Sequence, residues 1–527
     1  MTALPLPGLI AIGIIVAAIA AGLAGLFLAA GPEAAELPWR YIGGVVRFTL
    51  LQAALSTLLS LMLGAGLALA LARRPRFFGR SLFIAALNLA SVLPPIVAVF
   101  GIVEVLGRSG WIGDALRLFG VDVGGWLYGL PGILIAHVFF NAPLAARVFL
   151  ASLVAVPGEH WRLAEQLGMG PGAIFRFVDW PALKREAPAL ASLVFLLCFT
   201  SFAIVLALGG GPRAATLEVA IYESVRFDVD FARAGTLALL QVTICLCLVL
   251  PVLWTEARPA ESAAIGRIIR RPDGPSSAIR ALDIVVLAAG AALVMPPLLS
   301  VLLSGIAALG SLVSRDVLGA LLTSFLIAIP AAMLALALAL MLAESARRLR
   351  RLRHPRAASM TTLPGGLILA VPPVALSAGL FVILRPVADP FALAIPLIIL
   401  VNALMALPFA LRQVEPPLTL SAERYGRLAD SLGISGAWRL KLVDWPLLRR
   451  PFIAALAIAT ALSLGDLGVA AFFGSGNILT LPLLLYQRMG AYRMDEAASV
   501  ALLLASLVLA LFLAAQRWSG DPLARSR

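Results

Sequence analysis

Long apolar runs separated by short polar segments dominate the chain. A helix that crosses a bilayer needs about 20 mainly apolar residues. The runs that approach this length lie at about 10 to 30, 48 to 72, 82 to 103, 130 to 150, 189 to 208, 234 to 254, 284 to 303, 317 to 342, 367 to 384, 391 to 411, 452 to 473 and 497 to 515. This pattern predicts an all-α polytopic protein of the lipid bilayer with about 12 transmembrane helices.

The polar segments carry most of the positive charge, which sets the expected orientation. The 527 residues include 41 Lys and Arg and 28 Asp and Glu, a net charge of +13. If the N-terminus is cytoplasmic, 30 of the 41 basic residues fall in linkers after even-numbered spans or in the C-terminal tail. The positive-inside rule therefore predicts cytoplasmic N- and C-termini. Because 61% of the residues are hydrophobic, membrane topology explains the charge better than a nucleic-acid partner does.

Two of the polar segments have similar sequences. Arg162-Leu-Ala-Glu-Gln-Leu-Gly168, followed by Val178-Asp-Trp-Pro181, recurs as Arg427-Leu-Ala-Asp-Ser-Leu-Gly433, followed by Val443-Asp-Trp-Pro446. We call residues 162–181 the first signature loop and residues 427–446 the second signature loop. Nine of the 20 positions are identical between the two loops. An ordinary amphipathic connector is the alternative, but a register kept in both copies indicates an internal duplication.

The duplication extends to the two halves of the chain. Pro143 and Tyr222 recur as Pro408 and Tyr486. Residues 256 to 280 hold proline, glycine and serine between charged residues and are typical of a linker. The sequence thus predicts a first lobe at 1 to 255, a cytoplasmic linker at 256 to 280 and a second lobe at 281 to 527. Six spans in each lobe make the two copies parallel repeats.

The sequence lacks the motifs that would indicate catalytic chemistry. It has no Gly-x-x-x-x-Gly-Lys-Ser/Thr phosphate loop, so we expect ATP to be bound elsewhere. The three histidines lack metal-ligand spacing, and the three cysteines lie within apolar runs. We therefore predict no catalytic residue, metal or cofactor in this chain, which is not expected to be an enzyme.

Polar residues inside the apolar runs are candidates for a transport pathway. Asp466 lies in the eleventh run, and Ser201 is its counterpart in the first half. Asn141 and Asn402 precede the duplicated prolines. Polar groups in hydrocarbon either line a cavity or bridge helices by hydrogen bonds, and both interpretations remain open here.

The signature loops resemble the loop of binding-protein-dependent ABC importer permeases. That loop has a Glu-Ala-Ala start, a glycine after three further residues and a Leu-Pro-like end. Ala164, Gly168 and Pro181, with Ala429, Gly433 and Pro446, keep the pattern. Arginine replaces the first glutamate, and Trp-Pro replaces Leu-Pro, in both loops.

The resemblance implies a type I ABC importer permease fold and two copies of an ATPase subunit, which would bind ATP and Mg. In that family the loop forms a short helix in a groove of the ATPase. Leu163, Ala164 and Leu167 form a narrow apolar stripe suited to such a groove, and Gly168 should end the helix. The predicted coupling residues are Arg162, Leu163, Ala164, Glu165, Leu167, Gly168, Arg427, Leu428, Ala429, Asp430, Leu432 and Gly433.

A closer resemblance concerns the substrate. The stretch from Cys198 to Pro212, the stretch from Thr216 to Asp230 and the segment from Leu481 to Met494 resemble permeases of the thiamine and thiamine-pyrophosphate importer of Gram-negative bacteria. This implies an inner-membrane location and a periplasmic thiamine-binding protein as partner. Ferric-iron ABC permeases are the alternative within the class. An ion-coupled secondary transporter is the alternative from another class, and it has no reason to keep two cytoplasmic loops in register.

Charged residues in the predicted outer loops are candidates for docking the binding protein. The simpler interpretation is that they are only solvated. They are Arg213, Arg226, Asp228, Asp230, Arg488 and Arg493.

Overall fold

The computed structural model describes residues 5–30, 38–117, 119, 125–211, 214–254, 271–274, 276–368, 371–474 and 478–519. This part of the chain is helical and contains no strand. The helices in the first half are α1 (Leu6–Ala30), α2 (Trp39–Arg73), α3 (Arg80–Ala90), α4 (Pro95–Leu106), α5 (Trp111–Arg117), α6 (Leu130–Val154), α7 (Gly158–Gln166), α8 (Pro171–Ile174), α9 (Trp180–Phe199), α10 (Ala203–Leu208), α11 (Leu217–Arg226) and α12 (Phe231–Trp254).

The described part of the second half has a similar order with ten helices. Its helices are α13 (Ser277–Ala307), α14 (Arg315–Arg351), α15 (Pro355–Leu367), α16 (Pro373–Leu384), α17 (Ala394–Ser431), α18 (Gly436–Arg439), α19 (Trp445–Leu464), α20 (Gly468–Phe473), α21 (Leu481–Gly490) and α22 (Met494–Ser519). Helix α17 runs continuously where the first half has the two helices α6 and α7. A 3₁₀ turn lies at Leu309–Leu312, and five-residue π-helices lie at Phe175–Asp179 and Leu440–Asp444.

Helix α14 shows how the sequence sets its own ends. Ser314 precedes it, and the Ser314 Oγ accepts a hydrogen bond of 3.3 Å from the Val317 N–H. Asp316 lies in the first turn, and Arg348, Arg350 and Arg351 lie in the last. Negative charge at the start and positive charge at the end of a helix both favour its dipole. The apolar residues between these ends then form a single span.

Ten helices of the described residues are long and apolar enough to cross a membrane, against the predicted count of about 12. The run at 189 to 208 is divided between α9 and α10, and α9 carries the charged residues Lys184, Arg185 and Glu186 in its first half. The run at 367 to 384 yields only the 12-residue helix Pro373–Leu384. The prediction of an all-helical, multi-span protein is confirmed, and the count is corrected by these two segments.

The described chain forms two compact units. Unit A comprises Met1–Pro38, Leu217–Thr243 and Ala307–Arg527, and unit B comprises Trp39–Thr216 and Ile244–Ile306. The predicted lobes at 1 to 255 and 281 to 527 follow chain order, whereas helix α1 lies in unit A and most of α13 lies in unit B. The boundary at 256 to 280 remains a prediction about the repeat in the sequence, and the packing units are divided differently.

Within unit A, helix α1 packs against α16 and α14. A Cβ atom placed on Gly25 would lie 2.0 Å from the carbonyl oxygen of Gly379. Only glycine allows the two backbones to approach this closely, as small residues do in membrane helix pairs. The contact therefore fixes α1 to α16.

Within unit B, helix α2 packs along α6 and α9. Helix α13 approaches α4, where a Cβ atom on Gly101 would lie 2.5 Å from the Pro297 carbonyl oxygen. The Ser300 Oγ donates to the Gly101 carbonyl at 3.2 Å. Close backbone contact and a hydrogen bond thus hold α13 within this unit.

Candidate functional site

The first signature loop begins as helix α7 and turns at Gly168. Gly168 has a φ of +60°, a left-handed conformation that favours glycine. The Met169 N–H donates to the Ala164 carbonyl at 3.0 Å, and the Gly168 N–H donates to the Glu165 carbonyl at 3.1 Å. This pair of bonds is a Schellman motif, which satisfies carbonyls at the helix end.

The second signature loop repeats this turn at the end of α17. Gly433 has a φ of +64°. The Ile434 N–H donates to the Ala429 carbonyl at 2.8 Å, and the Gly433 N–H donates to the Asp430 carbonyl at 3.2 Å. The prediction that a glycine ends the helix is confirmed in both loops.

The apolar stripe predicted on each loop is divided between two faces. The leucines are exposed, with Leu163 at 52% and Leu167 at 64%. Ala164 is 1% exposed and packs inside the loop with Trp161 and Ile174. The expectation that Leu163, Ala164 and Leu167 share one outward face is therefore wrong for Ala164, because a small side chain is needed where α7 meets the rest of its own loop.

The second loop has the same division and adds a groove. Leu428 and Leu432 are 56% and 64% exposed, whereas Ala429 is 2% exposed. These residues border an apolar groove of about 370 Å³. Its lining is Tyr425, Leu428, Ala429, Leu432, Ile434, Leu442, Val443, Pro446 and Leu447. An exposed apolar groove of this kind suits an apolar side chain from a partner.

The charged residues of the loops lie around these helices. Asp430 pairs with Arg351 at 2.5 Å and with Arg439 at 3.4 Å. Arg162, Glu165 and Arg427 are exposed on their helices. Their charges remain on the surface, where ion pairs contribute little to stability.

A π-helix follows the turn in each loop and buries an aspartate that sequence reasoning missed. The π-helices end at Asp179 and at Asp444, and both side chains are almost fully buried. π-Helical turns are rare in proteins, and those that occur are often found at functional sites. The signal in the sequence was the recurrence of this aspartate in Val-Asp-Trp-Pro, to which no role was assigned.

In unit B, Asp179 belongs to a buried group of alternating charges. Its carboxylate lies 2.8 Å from Arg271 and 3.7 Å from Arg73 at the end of α2. Asp273 pairs with Arg73 at 2.7 Å and with Arg271 at 3.0 Å. Burial raises the pKa of Asp273, but Arg271 and Arg73 outweigh it, and the pKa is lowered overall. The first signature loop is thereby held to α2 and to the segment before α13.

Arg271 also reinforces this loop from its other side. Its guanidinium lies 4.3 Å from the centre of the Trp161 ring in α7. A buried cation over an aromatic face is stabilised by the ring quadrupole. Arg271, which belongs to the predicted linker, therefore contacts both the helix and the π-helix of the first signature loop.

In unit A, Asp444 is held by groups within the second half. Its carboxylate lies 2.8 Å from Arg347 near the end of α14 and accepts a hydrogen bond of 2.5 Å from the Ser421 Oγ. Arg439 lies 3.8 Å away. Each signature loop is thus anchored to the end of the helix that carries the second span of a repeat.

The asparagines inside the spans bridge helices. The Asn141 Nδ2 lies 3.4 Å from the Cys198 Sγ, and the Asn402 Nδ2 donates to the Ser463 Oγ at 2.9 Å. Cys198 and Ser463 occupy equivalent positions in the duplication. Because both asparagines are 5% exposed, these contacts favour the bridging interpretation over pathway lining.

Ser201 and Asp466 lie where the fifth span of each repeat is interrupted. Ser201 falls between α9 and α10, and Asp466 falls between α19 and α20. The Asp466 Oδ2 accepts hydrogen bonds from the Val469 and Ala470 N–H groups at 3.2 and 3.3 Å. Asp466 therefore caps α20, a role that the sequence had not indicated.

Two of the predicted docking residues are structural. The Arg226 Nη2 donates to the Gly474 carbonyl at 2.7 Å, and its guanidinium lies 5.5 Å from the centre of the Phe391 ring. Arg488 is 5% exposed and pairs with Glu496 at 3.3 Å. These contacts hold loops together within unit A, so neither arginine is a simply solvated charge.

The other docking candidates lie in the same turns. Asp228 pairs with Arg233, and Asp230 lies 3.7 Å from that same guanidinium. Arg493 is exposed and pairs with Glu496 at 2.8 Å. Arg213 lies outside the described residues. Asp228, Asp230 and Arg493 thus remain accessible charges beside local partners.

The long apolar helices, the interrupted fifth spans and the duplicated anchored loops define a multi-pass membrane permease with the fold of ABC importer permeases. The chain belongs to the family of thiamine transport system permease proteins. It is 45% identical over 482 residues to the thiamine transport system permease protein ThiP of Brucella abortus (strain 2308), covering 90% of this chain and 88% of the relative.

Two further comparisons extend this result. The ThiP protein of Escherichia coli (strain K12) is 42% identical over 523 residues, covering 98% of this chain and 96% of the relative. The sulfate transport system permease protein CysW of a Synechocystis species is 28% identical over 208 residues, covering 38% of this chain and 74% of the relative. No family model matches the chain.

Proposed function

We propose that this chain is the permease subunit of an ABC importer that moves thiamine and its phosphates from the periplasm to the cytoplasm. The observation that carries the proposal is the 42% identity over 98% of the chain with a thiamine transport permease. The permease would lie in the bacterial inner membrane with both termini in the cytoplasm, as the distribution of basic residues favours.

ATP hydrolysis is assigned to a separate subunit, present in two copies, which would hold ATP and Mg. Each copy would contact one signature loop. The exposed Leu163 and Leu167 in the first loop, and the groove beside Leu428 and Leu432 in the second, offer the apolar surface for this contact. A periplasmic thiamine-binding protein would deliver the substrate to the outer turns.

Movement of the ATPase subunits would reach the spans through the buried aspartates. Asp179 joins the first loop to Arg73 of α2, and Asp444 joins the second to Arg347 of α14. Displacement of a loop would then move the end of a long helix, because a buried ion pair resists separation. Coupling between hydrolysis and transport would use this connection.

Uptake of labelled thiamine tests the function. The assay uses a strain that lacks its own permease but retains the ATPase subunit and the binding protein. We expect this chain to restore thiamine uptake, with ferric iron as the control substrate. Restored iron uptake without thiamine uptake would refute the substrate assignment and support the alternative within the class.

A further inference from the structure

A buried pair of polar side chains in unit A takes no part in the contacts described so far. Glu218 of α11 and Gln241 of α12 are both 0% exposed. The Gln241 Nε2 donates to the Glu218 Oε1 at 3.2 Å. The Glu218 carboxylate also accepts a hydrogen bond from the Val374 backbone N–H. In the described part of the chain, neither Oε2 of Glu218 nor the amide oxygen of Gln241 has a hydrogen-bond partner.

A second carboxylate lies near this pair. Asp466, at the start of α20, is close enough to Glu218 for their charges to repel. Helices α11 and α20 both pack against α16, which brings the two acids together. Among the described residues, no arginine, lysine or histidine forms an ion pair with either carboxylate.

The polar atoms of this pair that have no hydrogen-bond partner among the described residues are all acceptors. The amide oxygen of Gln241 is bonded to the carbon that also carries its donating nitrogen, so it lies beside the Glu218 carboxylate. Buried acceptors without donors are costly, and buried negative charges without a cation are more so. A ligand that is positively charged and also donates a hydrogen bond would relieve both costs.

We propose that Glu218, Asp466 and Gln241 form the cation-recognition subsite of the transport pathway. The two carboxylates attract the positively charged thiazole ring of thiamine, and the Gln241 amide oxygen accepts a hydrogen bond from the amino group of its pyrimidine ring. This inference rests on the proposed function. Glu218 and Gln241 are closed to solvent in the conformation described, whereas Asp466 is partly exposed, so the substrate reaches the two buried groups when the helices around them separate.

The test compares thiamine with an isosteric analogue in which an uncharged thiophene replaces the charged thiazole. The variants are Glu218→Gln and Asp466→Asn. Glu223→Gln, on the same helix but partly exposed, is the matched control. Uptake of both compounds is measured in one strain with one binding protein. Any preference of the binding protein for one compound is then the same for every permease variant and does not affect the comparison.

We expect Glu218→Gln to lower the ratio of thiamine uptake to analogue uptake by about tenfold, because a nearby opposite charge favours the cation alone. Asp466→Asn should lower the ratio in the same direction, and Glu223→Gln should leave it unchanged. A variant that folds poorly loses uptake of both compounds equally, so the ratio is independent of abundance.

The two proposals fail in different ways. If the unchanged chain does not restore thiamine uptake, the proposed function is wrong. If the unchanged chain restores it and Glu218→Gln and Asp466→Asn keep the full preference for the charged compound, the subsite is overturned while the importer assignment stands. The second result is the one expected if Glu218 is protonated and its proton alone satisfies the buried acceptors.

Discussion

Replacing Asp444 by asparagine should separate ATP hydrolysis from transport. The Asp444 Oδ1 lies 2.8 Å from Arg347 and also accepts the hydrogen bond from Ser421, all within unit A. Asparagine keeps the size and one acceptor of the side chain but removes its charge. The second signature loop then loses its buried ionic connection to α14 and keeps only the exposed pair between Asp430 and Arg351.

The expected magnitude follows from the burial of the pair. Removing one partner of a buried ion pair costs about 3 to 5 kcal/mol, because the other charge is left uncompensated. Arg347 retains Glu344 at 2.6 Å, and asparagine retains an acceptor, so the cost should fall to about 2 to 3 kcal/mol. That shifts the equilibrium between an anchored and a released loop by about 30- to 150-fold.

Proteoliposomes that contain the permease, its ATPase subunit and the binding protein allow both activities to be measured. We expect hydrolysis to continue in Asp444→Asn while the number of thiamine molecules imported per ATP falls severalfold. Arg347→Met should have the same effect. Arg348→Met is the matched control, since Arg348 pairs with the same Glu344 but is 57% exposed.

A double variant distinguishes an anchor from two independent defects. If Asp444 and Arg347 act as one unit, combining their changes should be no worse than the more severe single change. A normal ratio of thiamine to ATP in both single variants would refute the reasoning, because the ion pair would then carry no coupling.

Three further predictions concern the partner subunit and the topology. Leu163→Glu combined with Leu428→Glu should abolish retention of the ATPase subunit in a pull-down at matched membrane abundance. The double change should alter the stability of the permease by less than about 0.5 kcal/mol, since both leucines are exposed. Undiminished retention would exclude these loops as the contact. The purified chain alone should hydrolyse no ATP, and measurable hydrolysis by the isolated chain would contradict the assignment of the motor to a partner. A reporter fused near Arg353 should indicate cytoplasm and one near Asp389 periplasm, and the opposite pattern would invert the proposed orientation.

Features set by short stretches of sequence were predictable. The apolar runs gave the helical class, because a bilayer demands long apolar helices whatever their neighbours are. Gly168 and Gly433 were expected to end their helices, since a left-handed residue is a local requirement. The duplication was visible for the same reason, as it preserves local patterns in register.

Features set by contacts between distant residues were not predictable. Asp179 meets Arg271, 92 positions away in the chain, and no periodicity in either segment indicates the contact. The burial of Ala164 was missed because a helical face can turn towards a partner or towards its own loop, and spacing does not distinguish the two. The same limit hid the place of α1 in unit A, which is shown by contacts such as the close approach of Gly25 to Gly379.

The contact between α1 and α16 has a consequence for the order of biosynthesis. Gly379 is added to the chain 354 residues after Gly25. At about 5 to 20 residues per second, α1 waits roughly 20 to 70 s for the surface it packs against. During that time it must persist in lipid without this contact, and its 25 residues contain no charged side chain. The apolar character of α1 is therefore a requirement of the nascent chain, in which α1 is inserted long before α16 exists.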